Sequence, residues 1–156
     1  MAKSLHILLV EDSHDDEELM IHAFKQSKIA NRIDVVRDGP EALDYLLVRG
    51  KYAGLKGHTL PAVVLLDINL PKIDGLEVLR QVRANRKTRH LPVVMLTSSS
   101  QQEDMLRSYD LGANSFVRKP VEFDTFVEAV RNLQVYWLIL NEIPEPETSE
   151  RPAQSG

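Results

Sequence analysis

The chain of 156 residues contains no cysteine, which excludes disulfide scaffolds, thiolate metal sites and thiol nucleophiles. Long hydrophobic runs are missing too. Ala62 to Leu66 and Val135 to Leu140 fall far short of the roughly 18 residues that span a bilayer, so no membrane partner is expected. Near the N-terminus His6, Glu11 and Asp12 break up the only apolar stretch and no small-residue cleavage site follows, which argues against a signal peptide. Basic excess is absent: 19 basic against 23 acidic residues leave a net charge of −4, unlike a protein that tracks phosphate backbones, and direct nucleic-acid binding is not expected. The five histidines, His6, His14, His22, His58 and His90, lack metal-ligand spacing. What is present, 43% hydrophobic and 27% charged residues, is the composition of one folded domain and fits a cytoplasmic protein.

Five short runs rich in Val, Ile and Leu punctuate the chain: Ile7 to Val10, Ile33 to Val36, Val63 to Leu66, Val93 to Leu96, and Ser115 to Val117. Unbroken apolar character over so few residues is the mark of strands covered on both faces of a parallel sheet, and the more polar second and fifth runs suit its edges. Helical patterns lie between them. Ser13 with Asp16 reads as a capping box before Leu19, Ala23 and Phe24, and Pro40 suits the first turn of a helix carrying Ala42, Leu43, Leu46 and Leu47. Gly75 precedes a third helix with Val78, Leu79 and Val82 inward, Ser100 with Glu103 caps a fourth that ends near Gly112, and a fifth follows Pro120. This alternation predicts a doubly wound α/β fold, helices on both faces of a parallel sheet, over residues 1–141. Residues 49–61, with three glycines and a proline, make a longer connection than such units need. Residues 142–156 hold Pro144, Pro146, Pro152 and a charge of −3, a composition that predicts a tail without fixed structure.

Ligands of open α/β sheets bind at the carboxyl ends of the strands. There the first run ends in Glu11-Asp12, the third in Asp67, the fourth in Thr97-Ser98 and the fifth in Lys119-Pro120. Three converging carboxylates repel one another unless a cation lies between them, and an all-oxygen donor set selects a hard ion such as Mg²⁺ or Mn²⁺. Lys119 adds a charge suited to phosphate and Thr97 a hydroxyl donor, so the set reads as a phosphoryl-transfer site with a carboxylate nucleophile. Taken singly, Asp12 reads as a residue near a helix cap, Asp67 as a loop opener, and Lys119 as a solvated cation. Their joint placement at strands one, three, four and five favours the site.

These residues resemble the receiver domains of two-component response regulators. Leu8-Leu9-Val10-Glu11-Asp12-Ser13 is similar to the family's acidic pair, and Leu65 to Pro71, continuing to Asp74-Gly75, to its phosphoacceptor segment. Thr97-Ser98 and Lys119-Pro120 follow Asp67 at the family's intervals of 30 and 52 residues, and the likeness covers residues 5 to about 140. Asp38 to Leu46, Leu70-Pro71-Lys72, Asn114-Ser115-Phe116 and Tyr136-Trp137-Leu138 resemble more narrowly the single-domain regulators that partner phytochrome histidine kinases. The resemblance implies a flavodoxin-like sheet of order 2-1-3-4-5 and a phosphohistidine donor on a sensor kinase. It implies that Asp67 is the nucleophile, and that Mg²⁺ is held by Asp12, Asp67 and the carbonyl of Asn69, with Glu11 acting through water. It further implies Lys119 on a phosphoryl oxygen, Thr97 and Phe116 as the switch, and a cis Lys119–Pro120 bond. Such a protein is a phosphoacceptor rather than a turnover enzyme.

A phosphotransfer intermediate serving another sensor kinase is the nearest alternative. A Mg²⁺-dependent aspartyl phosphatase of the haloacid-dehalogenase type fits less well, because it carries its nucleophile on the first strand with a second Asp two residues on, where this chain has Asn69 after Asp67. A flavodoxin-type flavin protein would want a Gly/Ser/Thr-rich loop where Glu11-Asp12 stands.

Val135, Tyr136, Trp137, Leu138, Ile139 and Leu140 are consecutive, and six consecutive helical residues cover more than one full circumference, so a single sheet face cannot bury them all. A homodimer anchored by Tyr136, Trp137 and Leu140 is the expected outcome. Light scattering of the unphosphorylated protein should report a dimer at micromolar concentration. Trp137→Glu should dissociate it and deletion of residues 145–156 should not; the reverse pattern would show that the tail covers this surface.

Overall fold

The computed structural model describes residues 6–27, 32–54, 59–97 and 107–118. In chain order these form β1 (His6–Val10), α1 (His14–Ser27), β2 (Arg32–Val36), α2 (Gly39–Leu46), a 3-10 turn (Gly50–Tyr52), β3 (Val63–Asp67), α3 (Gly75–Ala84), β4 (Val93–Thr97) and β5 (Ser115–Arg118). The five strands make one parallel sheet of order β2-β1-β3-β4-β5. β2 and β5 are its edges, as their polar character predicts, and β2 runs from exposed Arg32 to buried Val36.

Connections step from β1 out to β2, then back past β1 to β3 and on to β4. Because parallel crossovers are right-handed, this reversal puts α1 on one face and α2 and α3 on the other. Every residue of β1 and β3 is buried, which is why both read as unbroken apolar runs. Their side chains alternate between faces. Leu8, Val10, Leu66 and Met95 share one buried cluster with Leu43 and Leu46 of α2 and Leu79 and Val82 of α3. Ile7, Leu9, Leu65 and Val94, offset by one, are buried on the opposite face. Each such side chain contributes roughly 1.5–3 kcal/mol through removal from water.

The helix starts follow the sequence signals with small shifts. Ser13 Oγ accepts from the Asp16 N–H at 3.3 Å, as a cap should. In α1 Met20 is fully buried and Leu19 half-buried, while the side chains of Ala23 and Phe24 lie outside the described residues. Gly75 is the first residue of α3 rather than its predecessor: Asp74 is the cap, its carboxylate accepting from the Glu77 N–H at 2.9 Å. α2 is capped by Asp38, which accepts from the Glu41 N–H at 2.8 Å, with Pro40 in the first turn. Its C-terminus closes by an Arg49 N–H to Asp44 O bond of 3.0 Å around Val48, at φ 55°, the left-handed position where glycine is usual. The long connection contains the 3-10 turn, and of the fourth helix the described residues include 107–110, followed by Gly112 at φ 99°. The Ser100–Glu103 cap, the fifth helix with Tyr136, Trp137 and Leu140, the Lys119–Pro120 bond and the tail lie outside the described residues.

The Asp38 carboxyl is held below its usual range, chiefly by the Glu41 N–H and further by Lys72. A carboxylate whose folded pKa is depressed stabilises the fold above its ordinary pKa and loses that contribution as pH falls through the folded value. Asp38→Ala should therefore cost about 1 kcal/mol in urea unfolding at neutral pH. The gap from wild type should narrow as the pH drops below about 4.

Candidate functional site

The strand order reverses between β1 and β3, and the crevice at the carboxyl ends of these two strands is the ligand position of such folds. Glu11 and Asp12 follow β1 directly, and Asp67 is the last residue of β3. Parallel register carries the three to one edge: Val10 pairs with Leu66, and Asp67 with Leu96 beside the end of β4. Thr97 ends β4 and Phe116 lies in β5 opposite Met95. Lys119 lies outside the described residues.

The acids differ in environment. Glu11 is fully buried and Asp67 is 4% exposed, whereas Asp12 is exposed. Glu11 is fixed by its own N–H to Val36 O at 3.0 Å, and its Oε2 accepts from the Ser13 N–H at 3.2 Å. Asp67 Oδ1 accepts from the Asn69 N–H at 2.9 Å, which orients the carboxylate plane. The Asn69 N–H contact to Asp67 is distinct from the carbonyl role that the resemblance implies.

Carboxylate oxygens of Glu11, Asp12 and Asp67 all lie within 4.8 Å of one another. Two charged carboxylates at such a separation repel by about 3–4 kcal/mol at an effective dielectric constant of about 20. A small divalent cation removes that repulsion. At about 2.1 Å per bond, opposite ligands of an octahedral ion stand about 4.2 Å apart, so the cluster has the size and the all-oxygen chemistry for Mg²⁺ or Mn²⁺ with water completing the shell.

The segment that carries Asp67 into α3 shows supports that the motif alone did not reveal. Gly75 N donates to Ile68 O at 2.8 Å, and a Cβ on Gly75 would stand 2.2 Å from Asp67 O and 2.8 Å from Ile68 Cα. Only a glycine lets α3 start this close to the nucleophile's backbone. Lys72 sits at φ 70° at the centre of a three-residue turn closed by Ile73 N to Pro71 O at 2.8 Å, a strained conformation. Its ammonium reaches Asp38 Oδ2 at 3.1 Å. The two segments Asp38-Gly39-Pro40 and Leu70-Pro71-Lys72, separate in sequence, are therefore in direct contact. Lys72 and Asp38 were visible as parts of those segments, but their pairing was not.

A profile for the response regulator receiver domain matches residues 7–131. The probable methanogenesis regulatory protein FilR2 of Methanothrix harundinacea is 42% identical over 140 residues, covering 90% of this chain and 88% of that protein. Response regulator Rcp1 of Synechocystis sp. is 36% identical over 132 residues, covering 85% of this chain and 88% of that one. Its Mn²⁺-bound crystal structure superposes with a TM-score of 0.81 over 90% of this chain and 99% of that one, at 35% identity. The phosphorylated cyanobacterial phytochrome response regulator RcpA gives a TM-score of 0.84 at 34% identity over 92% of this chain and 100% of that one. The bacteriophytochrome response regulator AtBRR is 53% identical, with a TM-score of 0.72 over 90% of this chain and 100% of that one.

Gly75→Ala should push the start of α3 off Asp67, because its Cβ has no space between Asp67 O and Ile68 Cα. The expected cost is roughly 1–3 kcal/mol in urea unfolding, the range for overpacked sites. Weaker Mn²⁺ binding should accompany it in a fluorescence titration. Wild-type values for both would show that the helix start yields without moving the acid cluster.

Proposed function

Because the chain belongs to the response regulator receiver family, we propose that Asp67 is the residue on which it accepts a phosphoryl group from its sensor histidine kinase. The observation that carries this reading is the convergence of Glu11, Asp12 and Asp67 within 4.8 Å at the strand-order reversal, with Asp67 nearly buried between its partners. An Asp67 carboxylate oxygen attacks the phosphorus of a phosphohistidine. The P–O bond forms as the P–N bond breaks, and the imidazole leaves with the electron pair and takes up a proton.

Glu11, Asp12, Asp67 and the Asn69 carbonyl would hold the divalent cation. When bound, the ion offsets the charge of the acid cluster and of the incoming phosphoryl group. The Asn69 N–H keeps the nucleophile oriented. Lys119 pairs with a phosphoryl oxygen, and the Thr97 hydroxyl is drawn towards the new charge of about −1.5 to −2. Its displacement makes room for Phe116, and the changed face around β5 transmits the signal. The protein assists its own phosphorylation and dephosphorylation without turning over an external substrate.

A phytochrome-type kinase in the cytoplasm is the partner this reading favours. The similarity to RcpA, named as a cyanobacterial phytochrome response regulator, and to AtBRR, named as a bacteriophytochrome response regulator, supports it. Output passes through protein surfaces rather than nucleic acid, and through a homodimer anchored at Tyr136, Trp137 and Leu140. Residues 1–141 form the receiver and 142–156 an acidic appendage.

Wild-type protein should incorporate label from a small phosphodonor in Mg²⁺ and lose that capacity in excess chelator, while Asp67→Asn should remain at background. Labelling of Asp67→Asn at the wild-type rate would assign the nucleophile elsewhere. In competition, a purified phytochrome-type kinase should transfer to this protein faster than an unrelated sensor kinase; equal rates would remove the phytochrome assignment and leave the acceptor role standing.

A further inference from the structure

Arg83, in the last turn of α3, is half-buried, and its guanidinium donates to two other stretches of backbone and to one side-chain amide. Nη1 reaches Leu91 O at 2.7 Å and Arg89 O at 3.1 Å, just before β4. Nε reaches Gly112 O at 2.8 Å and Nη2 reaches Asn114 Oδ1 at 2.9 Å, just before β5. An arginine that merely caps its own helix would bond that helix's last carbonyls. Here the acceptors belong to other segments and all are neutral amide oxygens, and burial lowers the guanidinium's pKa without a carboxylate among these acceptors. The rigid fork of five N–H donors suits such a junction, and a lysine ammonium cannot reproduce it.

Asn114 links this junction to strand register. Its N–H donates to Val93 O at 2.9 Å, and its Oδ1 accepts from Val93 N at 2.8 Å. This closed pair sits one residue before the Val94–Ser115 match that begins the β4–β5 ladder. Arg83 bonds the same Oδ1, so two N–H donors fix the amide with its oxygen inward. A slip of one residue would send every β5 side chain, Phe116 included, to the other face. At the opposite end α3 starts against Asp67 and Ile68 through Gly75. Ten helical residues, about 15 Å, thus join the nucleophile's backbone to the start of β5.

We propose that Arg83 is a positioning residue: with Asn114 it sets the register of β5 against β4 and couples that strand, through α3, to Asp67. The coupling rests on the reading of Asp67 as phosphoacceptor; the setting of register does not. In this arrangement α3 is a rigid strut between the Asp67–Ile68 backbone and the start of β5, and a displacement at its first end reaches β5 without passing through β4 side chains.

Two measurements on the full-length ¹⁵N-labelled protein test this. In the unliganded state, amide exchange at Phe116 and Val117 should accelerate roughly tenfold in Arg83→Met and Asn114→Ala relative to Val64 and Leu66 of β3. With Mg²⁺ and beryllofluoride as the probe, Ile68 and Asn69 should shift in both variants as in wild type, while the response of Phe116 and Val117 falls by about half or more. Asn114→Asp keeps the acceptor and should retain both behaviours, and Arg83→Lys should follow Arg83→Met. Unchanged exchange at β5 in folded Arg83→Met, or an Asn114→Asp that behaves like Asn114→Ala, would overturn the positioning role. An undiminished β5 response would overturn the coupling. Silence of Ile68 and Asn69 in the wild type would count against Asp67 as acceptor, and the exchange data would still decide the role of Arg83. If Arg83→Met does not fold, Arg83→Lys and the Asn114 pair decide it.

Discussion

Two carboxylates, Glu11 and Asp67, are buried side by side where the strand order reverses, and much of the surrounding architecture answers that constraint. Burying like charges is unfavourable unless donors and a cation compensate. The Ser13 and Asn69 N–H groups supply part of the compensation from the loops that follow each strand. A divalent cation held by the cluster would supply the rest and would also offset the charge of an incoming phosphoryl group, which is how a charge change of one or two units at this edge becomes a signal rather than a defect.

The scaffold spends conformational strain on the same edge. Gly75 lets a helix start in contact with the nucleophile's own carbonyl, and Lys72 accepts a positive φ in the loop between them. Such conformations persist only where neighbours over-determine them. Here the neighbours are α2, whose cap Asp38 also receives the Lys72 ammonium, and the buried contact of α2 with α3. The β3–α3 loop is therefore braced against a second helix, and the acid cluster stands on packed elements rather than on a free loop. The basic end of α3 is tied down in the same manner by Arg83, so the helix is anchored at both ends to backbone it does not belong to.

Strands β1, β3 and β4 were readable because strands covered on both faces are mostly apolar, and β2 because an edge strand can carry polar, partly exposed residues. Asp67, Glu11 and Asp12 were readable because carboxylates directly after apolar runs have few other reasons to recur at several strands. Gly75 was readable as a helix boundary but not as a contact with Asp67, because a glycine in sequence does not say which backbone will approach it.

By itself the sequence determined the alternation of strands and helices, the donor chemistry of the acidic edge and the hard-ion preference that follows from it. These depend on residue type and periodicity, which are local properties of the chain. Only the tertiary structure decided which acid is buried and which exposed, that Asp38 meets Lys72, and that one arginine holds Gly112 and Asn114 beside the start of β5. Those facts depend on crossover handedness and strand register, which bring together residues tens of positions apart, and no local pattern encodes a pairing of that range.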